Sequence, residues 1–376
     1  MTKREFLKSI GVAAATVGTG SLVTVSSAPK ASAAQGDSKY WLWMRPDVRK
    51  PLEDYRRTFA RIKKAGIDAI LPEIFNGRNA LYGSKHLPVR DAWLEKILPV
   101  AKSEGIEVHA WMWCMPCNIE DIRTKHPEWY NVNRNGESSS VKPAYVDYYK
   151  FLCPTREPVH EFIQTRVKEL AQIDDLDGIH LDYIRYPDVI LAEALQPKYK
   201  IVQNREFPEY DYCYCEVCRN TFKKEAGYDP LDQDDPTVDV TWRRFRYDRI
   251  TNLVNNTLVP VIHNAGKMAT AAVFPNWEYV RQEWFAWDID AALPMLYHGF
   301  YNEDIRWIRK HVEKETAWLK ASTPLYAGLF IPDLKPEELP LAVEASLKGG
   351  AKGVSLFDLG SMNDAFWEQF SKAVSM

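Results

Sequence analysis

The chain has 376 residues, of which 46% are hydrophobic and 26% are charged, and its formal net charge is −3. This composition is typical of a globular protein with enough apolar material for one large core. No cluster of Lys and Arg with interleaved aromatic residues occurs, so nucleic acid is not an expected partner.

Residues 1–33 have the character of an export signal. Lys3, Arg4 and Lys8 precede a weakly apolar run, and a small-residue cleavage site, Ala-Ser-Ala, ends at Ala33. We therefore predict a single domain over residues 34–376. Because the signal contains four basic residues and one acidic residue, that domain has a formal charge of −6.

The sequence of residues 2–8 resembles a twin-arginine signal with Lys in the first arginine position, which leaves the Sec route open. No cysteine follows the apolar run, so a lipid anchor is not expected. A membrane-retained helix is disfavoured because Gly and Thr shorten the run. We expect a periplasmic or extracellular protein without a stable membrane anchor.

After the signal, strand-like segments alternate with helical patterns in eight successive units. The predicted strands cover residues 40–46, 67–75, 107–116, 176–187, 267–275, 291–298, 324–332 and 353–360. The predicted helices cover residues 51–66, 89–105, 154–173, 238–266, 277–287, 302–316, 335–350 and 365–374. This count predicts an α/β fold of the (β/α)8 TIM-barrel type. A doubly wound open sheet is disfavoured because no Gly-rich phosphate loop follows the first strand.

Two insertions extend the loops after strands 3 and 4, where barrel enzymes bind their substrates. The first covers residues 117–153 and is rich in Tyr, Asn and Ser. The second covers residues 188–239 and contains three closely spaced cysteines.

The fourth strand carries the strongest candidate for chemistry. Side chains alternate along a strand, so His180 and Asp182 share one face, and Asp182 lies near the carboxyl end where barrel active sites open. A half-buried carboxylate needs partners, and Arg185 and Tyr186 follow immediately to supply a cation and a phenol. His180 either orients this carboxylate or is a core histidine. A structural Asp–Arg pair that closes a loop is the alternative interpretation of Asp182.

Seven motifs along the chain resemble those of the family 10 glycosyl-hydrolase-like proteins. They are Leu-Tyr-Gly-Ser-Lys (81–85), Glu-Val-His-Ala-Trp (107–111), His-Pro-Glu-Trp (126–129), Cys-Pro (153–154), Asp-Gly-Ile-His-Leu-Asp-Tyr-Ile-Arg-Tyr-Pro (177–187), Pro-Met-Leu-Tyr (294–297) and Ala-Lys-Gly-Val-Ser-Leu-Phe (351–357). The resemblance implies a TIM barrel, bacterial export and a carbohydrate substrate, and it implies that Asp182 is the nucleophile.

Glycoside hydrolysis requires a second carboxyl group that holds a proton. Four strand-end acids are candidates, and Glu73 ranks first because it lies at the end of the second strand beside a polar loop. The others are Glu278, Asp333 and Asp358, of which Asp358 is also a candidate for binding substrate. Each could instead be a carboxylate that caps a loop.

Aromatic side chains at strand ends are a further signal, because sugars pack their C–H faces on rings. Trp113, Tyr297 and His298 lie at the ends of strands 3 and 6 and are expected to contact substrate. Trp41 and Trp111 fit either core packing or substrate contact.

The six cysteines all fall in the loops after strands. Exported proteins favour disulfides, and six cysteines allow fifteen connectivities, so no pairing is assigned. A structural zinc ion at Cys213, Cys215 and Cys218 is an alternative, although the spacing lacks the paired motifs of a typical zinc site. Free thiols remain a third interpretation.

The sequence thus predicts an exported glycoside hydrolase that acts on a polysaccharide or glycoconjugate with Asp182, assisted by Arg185 and Tyr186, and with Glu73 as the proton donor. No cofactor or catalytic metal is expected. Two alternatives remain: a carbohydrate-binding barrel without activity, and a metal-dependent hydrolase that uses the cysteine-rich loop. The sugar, the linkage and the oligomeric state are not determined by the sequence.

Overall fold

The computed structural model describes residues 38–375, and their central feature is a sheet of eight parallel strands. The strands are β1 (Trp41–Met44), β2 (Ala69–Phe75), β3 (Glu107–Trp113), β4 (Gly178–Asp182), β5 (Met268–Val273), β6 (Ala291–Pro294), β7 (Ala327–Phe330) and β8 (Val354–Phe357). The order is β6-β5-β4-β3-β2-β1-β8-β7. The predicted export signal lies outside the described residues.

Two isolated parallel bridges join the ends of this order and close the sheet into a barrel. They pair Ala292 of β6 with Leu325, and Met295 with Gly328 of β7. The predicted (β/α)8 TIM-barrel class is therefore confirmed.

Helices follow the strands and cover the outside of the barrel. They are α1 (Leu52–Lys64), α2 (Trp93–Ser103), α3 (Glu120–Lys125), α4 (Glu157–Ala171), α5 (Glu216–Ala226), α6 (Val240–Asn252), α7 (Val259–Asn264), α8 (Ile305–Thr316), α9 (Leu339–Gly349) and α10 (Asp364–Val374). A π-helical turn, Leu253–Leu258, joins α6 to α7. In the part of the chain described by the structure, no helix has the length and apolar character needed to cross a membrane.

The barrel interior is filled by large aromatic residues opposed by small ones. Trp41 and Trp43 of β1 and Trp111 of β3 pack against Ala272 and Leu293 on the far side. The edge of the Trp43 ring meets the Trp111 ring at a centroid distance of 4.8 Å. These side chains form one buried cluster inside the barrel, as expected for the filled interior of an eight-stranded barrel.

A glycine at the start of β4 is required by the same packing. A Cβ atom at Gly178 would lie 2.1 Å from Nδ1 of His109, which occupies the neighbouring position on β3. The His109 ring can therefore fill the lower barrel only because the facing residue has no side chain.

Two predicted elements differ from the structure. Strand β4 ends at Asp182 rather than extending to residue 187, because Tyr183 has a φ of 51°, which turns the chain out of the extended conformation. The helix predicted over residues 277–287 is replaced by two short 3₁₀ turns, Trp277–Val280 and Trp284–Ala286. The left-handed conformation of Arg281, with a φ of 55°, separates those turns.

The close packing predicts that a substitution that removes side-chain atoms from the barrel interior strongly destabilises the protein. Leu71 of β2 is fully buried, so Leu71→Ala should lower the free energy of unfolding by about 2–5 kcal/mol in a denaturant titration. Leu341→Ala in α9 is the matched control, because that leucine is 54% exposed. The control should change stability by less than about 0.5 kcal/mol. Equal effects of the two substitutions would contradict a close-packed barrel interior.

Candidate active site

A cavity of about 310 Å³ opens at the carboxyl ends of the barrel strands, and we refer to it as the mouth cavity. Asp182 lies on its floor, and most of its walls are aromatic. The aromatic lining residues are Trp111, Trp113, Tyr145, Tyr148, Tyr149, Tyr183, Tyr199, Phe274, Tyr297, Phe300, Tyr301, Phe330 and Phe357. A large apolar pocket with a few converging polar groups is typical of a ligand-binding site.

Asp182 is the last residue of β4, and two N–H groups hold its carboxylate. The indole Nε1 of Trp111 donates a hydrogen bond to Oδ2 at 2.8 Å, and the backbone N–H of Tyr183 donates to Oδ1 at 2.6 Å. Burial nevertheless raises the pKa of Asp182 to about 6, against the opposing effect of these two bonds. The left-handed turn at Tyr183 directs its N–H back toward the carboxylate.

Glu73 lies on β2 with its side chain toward the barrel mouth. Its Oε1 accepts a hydrogen bond from the indole Nε1 of Trp113 at 3.1 Å. Burial raises its pKa to about 7, and the negative charge of Asp182 adds to the shift while the charge of Arg45 opposes it. The charge of Asp182 thus contributes to the pKa of Glu73, so the ionisation of one carboxyl group affects that of the other.

The two acids face adjoining parts of one opening. Glu73 borders a groove of about 440 Å³, the side groove, which shares Arg45, Trp113, Tyr148 and Tyr183 with the mouth cavity. One strand, β3, separates β2 from β4, so their backbones lie roughly 10 Å apart. Strand alternation places both side chains on the inner face of the barrel, on the same side as Trp111 and Trp113.

Arg45 connects the acids at the rim. Its Nη1 donates to Oδ2 of Asp358 at 2.9 Å, and its Nε lies 3.7 Å from Oε1 of Glu73. The guanidinium also lies over the rings of Trp111 and Phe357. Asp358 thus lies at the site, as the sequence suggested, but it is engaged by Arg45.

This arrangement can place one ionised and one protonated carboxyl group side by side near neutral pH. The lower pKa belongs to Asp182 and the higher to Glu73, so Asp182 loses its proton first as the pH rises. A pair of acids whose environments separate their pKa values is suited to general acid–base chemistry.

Arg185 and Tyr186 have other partners than the sequence suggested. Arg185 Nη1 donates to Oδ2 of Asp188 at 3.0 Å and to the carbonyl of Tyr186 at 2.8 Å, rather than to Asp182. Arg185 still lines the mouth cavity, whereas Tyr186 is not among the lining residues. The chain leaves the strand at Tyr183, which turns both side chains away from the Asp182 carboxylate.

The remaining predicted contacts divide between cavity and core. Trp113 and Tyr297 line the mouth cavity, as expected for substrate contacts. His180 is a core residue: it hydrogen-bonds through Nδ1 to the Thr270 hydroxyl at 2.8 Å, and burial holds its pKa well below the ordinary value. His298 is buried near Asp333 and does not line the cavity.

Two further acids considered from the sequence lie elsewhere. Glu278 is in the 3₁₀ turn after β5, and burial raises its pKa, but it does not line the mouth cavity or the side groove. Asp333 is likewise absent from both linings, and burial raises its pKa as well. Of the four strand-end acids, Glu73 is the one that lines an opening, whereas Asp358 reaches it only through its contact with Arg45.

Several site residues were not identified from the sequence. Arg45 could have been found, because it follows Trp41 and Trp43 at the same alternate spacing and so points to the same face at the end of β1. Tyr145, Tyr148 and Tyr149 belong to the first insertion, whose fold over the barrel mouth has no local sequence signal. Their contribution is visible only in the tertiary structure.

The six cysteines form no disulfide; all are buried free thiols. Four of them converge, with the sulfur atoms of Cys153, Cys213, Cys215 and Cys218 within 4.8 Å of one another. We call this group the four-cysteine cluster. The expected disulfides are thus absent from the described residues, because four sulfur atoms meet at one point instead of pairing.

A sequence model of the family described as glycosyl hydrolase-like 10 matches residues 41–318. That range contains six of the eight strands, β1 to β6, and both candidate acids, Asp182 and Glu73. No curated protein matches the chain.

Solved structures support the fold. The glycoside hydrolase domain of PgaB (BpsB) from Bordetella bronchiseptica superimposes with a TM-score of 0.67 at 14% identity, over 90% of this chain and 97% of that chain. The catalytic domain of a β-amylase from Paenibacillus polymyxa gives a TM-score of 0.63 at 10% identity, over 90% and 98%. A β-galactosidase from Bacillus circulans sp. alkalophilus gives 0.63 at 12% identity, over 90% of this chain and 55% of that chain. At these identities the similarity shows the barrel fold alone.

The raised pKa of Glu73 predicts that this acid destabilises the folded protein at alkaline pH. Its pKa is about 7 in the folded state against an ordinary value of 4.5, so ionisation costs the folded state more than the unfolded state. Glu73→Gln should therefore be more stable than the wild type at pH 8, by on the order of 2 kcal/mol. The gain should decline as the pH falls through 7 and vanish near pH 4, where both states are protonated.

Urea titrations at several pH values would measure this difference. Glu303→Gln, which replaces an exposed acid, is the control and should show no such pH dependence. A Glu73→Gln variant that is less stable than the wild type at pH 8 would contradict the assigned pKa.

Proposed function

Since the chain belongs to the glycosyl hydrolase-like 10 family, we propose that it is a glycoside hydrolase that cleaves glycosidic bonds of a polysaccharide or glycoconjugate. The observation that supports this most directly is the pair of buried carboxyl groups, Asp182 and Glu73, with unequal pKa values at the barrel mouth. The aromatic walls of the mouth cavity add the rings on which sugar C–H faces pack.

In the proposed mechanism, Asp182 is the ionised carboxylate and Glu73 is the proton donor. Glu73 protonates the glycosidic oxygen as the bond to the anomeric carbon breaks, and the oxocarbenium-like transition state develops positive charge beside Asp182. Asp182 then either bonds to the anomeric carbon or removes a proton from an attacking water molecule. The separation of the two carboxyl groups across the substrate determines which of these occurs.

Trp111 and Tyr183 have positioning roles in this proposal. Their N–H groups fix both oxygens of Asp182, so the carboxylate keeps one orientation as charge develops. Trp113 does the same for Glu73 through its indole N–H. Arg45 balances the negative charge of the site from the rim, which favours the ionised form of Asp182.

A metal-dependent hydrolase that uses the cysteine-rich loop has less support. The four-cysteine cluster is buried, with exposed fractions of 0–4%, and none of its members lines the mouth cavity. Substrate would not reach a metal held there. A carbohydrate-binding barrel without activity remains the competing proposal, and the kinetic experiment below separates the two.

We also propose that the protein is exported, because residues 1–33 have the organisation of a signal peptide. Expression of the full chain in a bacterial host, followed by N-terminal sequencing of the periplasmic and secreted fractions, tests this. A mature start after Ala33 would support export, and an intact N-terminus confined to the cytoplasm would contradict it.

The proposed roles predict a bell-shaped dependence of kcat/KM on pH. Activity should rise as Asp182 loses its proton with a pKa of about 6 and should fall as Glu73 loses its proton with a pKa of about 7. Reducing-end assays on polysaccharides, together with aryl glycosides of both anomers, would first identify a substrate for residues 34–376. The pH profile would then be measured on that substrate.

Substitutions distinguish the two roles. Asp182→Asn should lower kcat by about 10³-fold or more on every substrate. Glu73→Gln should lower it by about 10²–10⁴-fold on natural linkages but far less on aryl glycosides with good leaving groups, since these need no protonation. Glu73→Gln should also remove the alkaline limb of the pH profile.

Glu278→Gln is the matched control, because burial also raises the pKa of Glu278 but that acid lies outside the opening. It should leave kcat/KM within about twofold. Undiminished hydrolysis by Asp182→Asn would remove Asp182 from the mechanism. Sugar binding without hydrolysis of any substrate would favour the carbohydrate-binding barrel.

A further inference from the structure

The four-cysteine cluster joins the two insertions that surround the mouth cavity. Cys153 ends the first insertion, after β3, whereas Cys213, Cys215 and Cys218 belong to the second, after β4. About 60 residues of sequence separate Cys153 from the other three cysteines. The interval from Cys153 to Cys215, for example, is 62 residues. All four side chains are buried.

The distances between the sulfur atoms match a metal site rather than disulfides. The Sγ of Cys153 lies 3.7 Å from that of Cys215 and 3.4 Å from that of Cys218. A disulfide requires a separation of about 2.05 Å. A tetrahedron of sulfur atoms about 2.3 Å from a central Zn²⁺ has edges of roughly 3.8 Å, which is close to the observed spacing.

Polar groups around the cluster are placed to support thiolates. The backbone N–H of Val132 donates to the Sγ of Cys213 at 3.3 Å, and the hydroxyl oxygen of Thr155 lies 3.1 Å from the Sγ of Cys218. The Tyr186 hydroxyl is buried beside the cluster and has no hydrogen-bond partner within the described residues. Donors directed at ligand sulfur atoms are typical of the outer shell of metal sites.

We propose that Cys153, Cys213, Cys215 and Cys218 bind one structural Zn²⁺ ion that fastens the two insertions together. Four thiolate ligands close the coordination sphere and leave no position for water or substrate, so the ion has no catalytic role. Its binding releases the thiol protons to solvent. This site adds Cys153 to the three cysteines that the sequence suggested.

Both fastened segments contribute residues to the walls of the mouth cavity. Tyr148 and Tyr149 come from the first insertion, and Leu195 and Tyr199 come from the second. The main chains also touch near the cluster, where the N–H of Tyr214 donates to the carbonyl of Val132 at 2.8 Å. A metal at the cluster would therefore fix the shape of the cavity without contacting its contents.

Metal analysis of purified residues 34–376, reduced and dialysed against metal-free buffer, tests the site directly. Mass spectrometry of the elements should find close to one Zn²⁺ per chain. Replacement by Co²⁺ should give the visible absorption of tetrahedral cobalt with thiolate-to-metal charge transfer. Iron in place of zinc would overturn the assignment of the ion.

Two cysteine variants provide the matched comparison. Cys215→Ser should lose most of the bound Zn²⁺, whereas Cys117→Ser, which replaces a buried cysteine outside the cluster, should retain it. If Cys215→Ser does not fold, the wild-type metal content still decides the question. Intact-protein mass spectrometry that shows disulfides among the four, or a reduced protein that takes up neither Zn²⁺ nor Co²⁺, would overturn the proposal.

The proposed effect of the metal on the two insertions can be measured separately, by limited proteolysis. Limited proteolysis within residues 117–153 and 188–215 should accelerate at least tenfold after chelation and slow again when Zn²⁺ is restored. Unchanged cleavage in a protein shown to have lost its metal would overturn the fastening role. These measurements do not depend on hydrolysis, so they stand or fall separately from the proposed enzymatic activity.

Discussion

The structure depends on how one carboxylate is kept ionisable although it is buried at the barrel mouth. Within residues 38–375 Asp182 forms no direct ion pair; two N–H donors, from Trp111 and Tyr183, hold it instead. Desolvation therefore prevails, and the pKa of Asp182 rises to about 6. The shift from 3.8 corresponds to on the order of 3 kcal/mol that the fold must supply elsewhere. Carboxyl groups with pKa values perturbed in this way cluster at functional sites.

The barrel packing determines where those donors lie. Trp111 is fixed by the edge of Trp43, which in turn meets the neutral ring of His180. The second donor depends on backbone strain, since Tyr183 adopts a left-handed conformation that costs about 1–2 kcal/mol for a residue with a Cβ. The Trp111 indole and the Tyr183 N–H together fix the orientation of Asp182. The position of the indole follows from packing inside the closed barrel, and that of the N–H follows from the turn that ends β4.

Arg185 illustrates how a cation close to the site is engaged by the second insertion instead of by Asp182. Its guanidinium pairs with Asp188 and stacks against aromatic rings, including Phe274 at 4.5 Å. The arginine thereby stabilises the start of the second insertion and does not pair with the carboxylate of Asp182. Arg45 at the rim is half exposed, so its influence on Glu73 and Asp182 is screened by solvent. The two acids can consequently keep raised pKa values although Arg45 lies close to them.

The sequence alone determined the barrel class, the position of Asp182 at the end of β4, and the location of Glu73 near the mouth end of β2. These features depend on short-range rules: strands alternate their side chains, and parallel strands present their carboxyl ends to one edge. Only the tertiary structure decided which partners those side chains meet. Arg185 pairs with Asp188, His180 is buried against Thr270, and four cysteines from two insertions converge, because each of these contacts joins segments whose approach is set by loop folding over the barrel. Local sequence patterns carry no information about that approach, since it follows from packing between residues far apart in the chain.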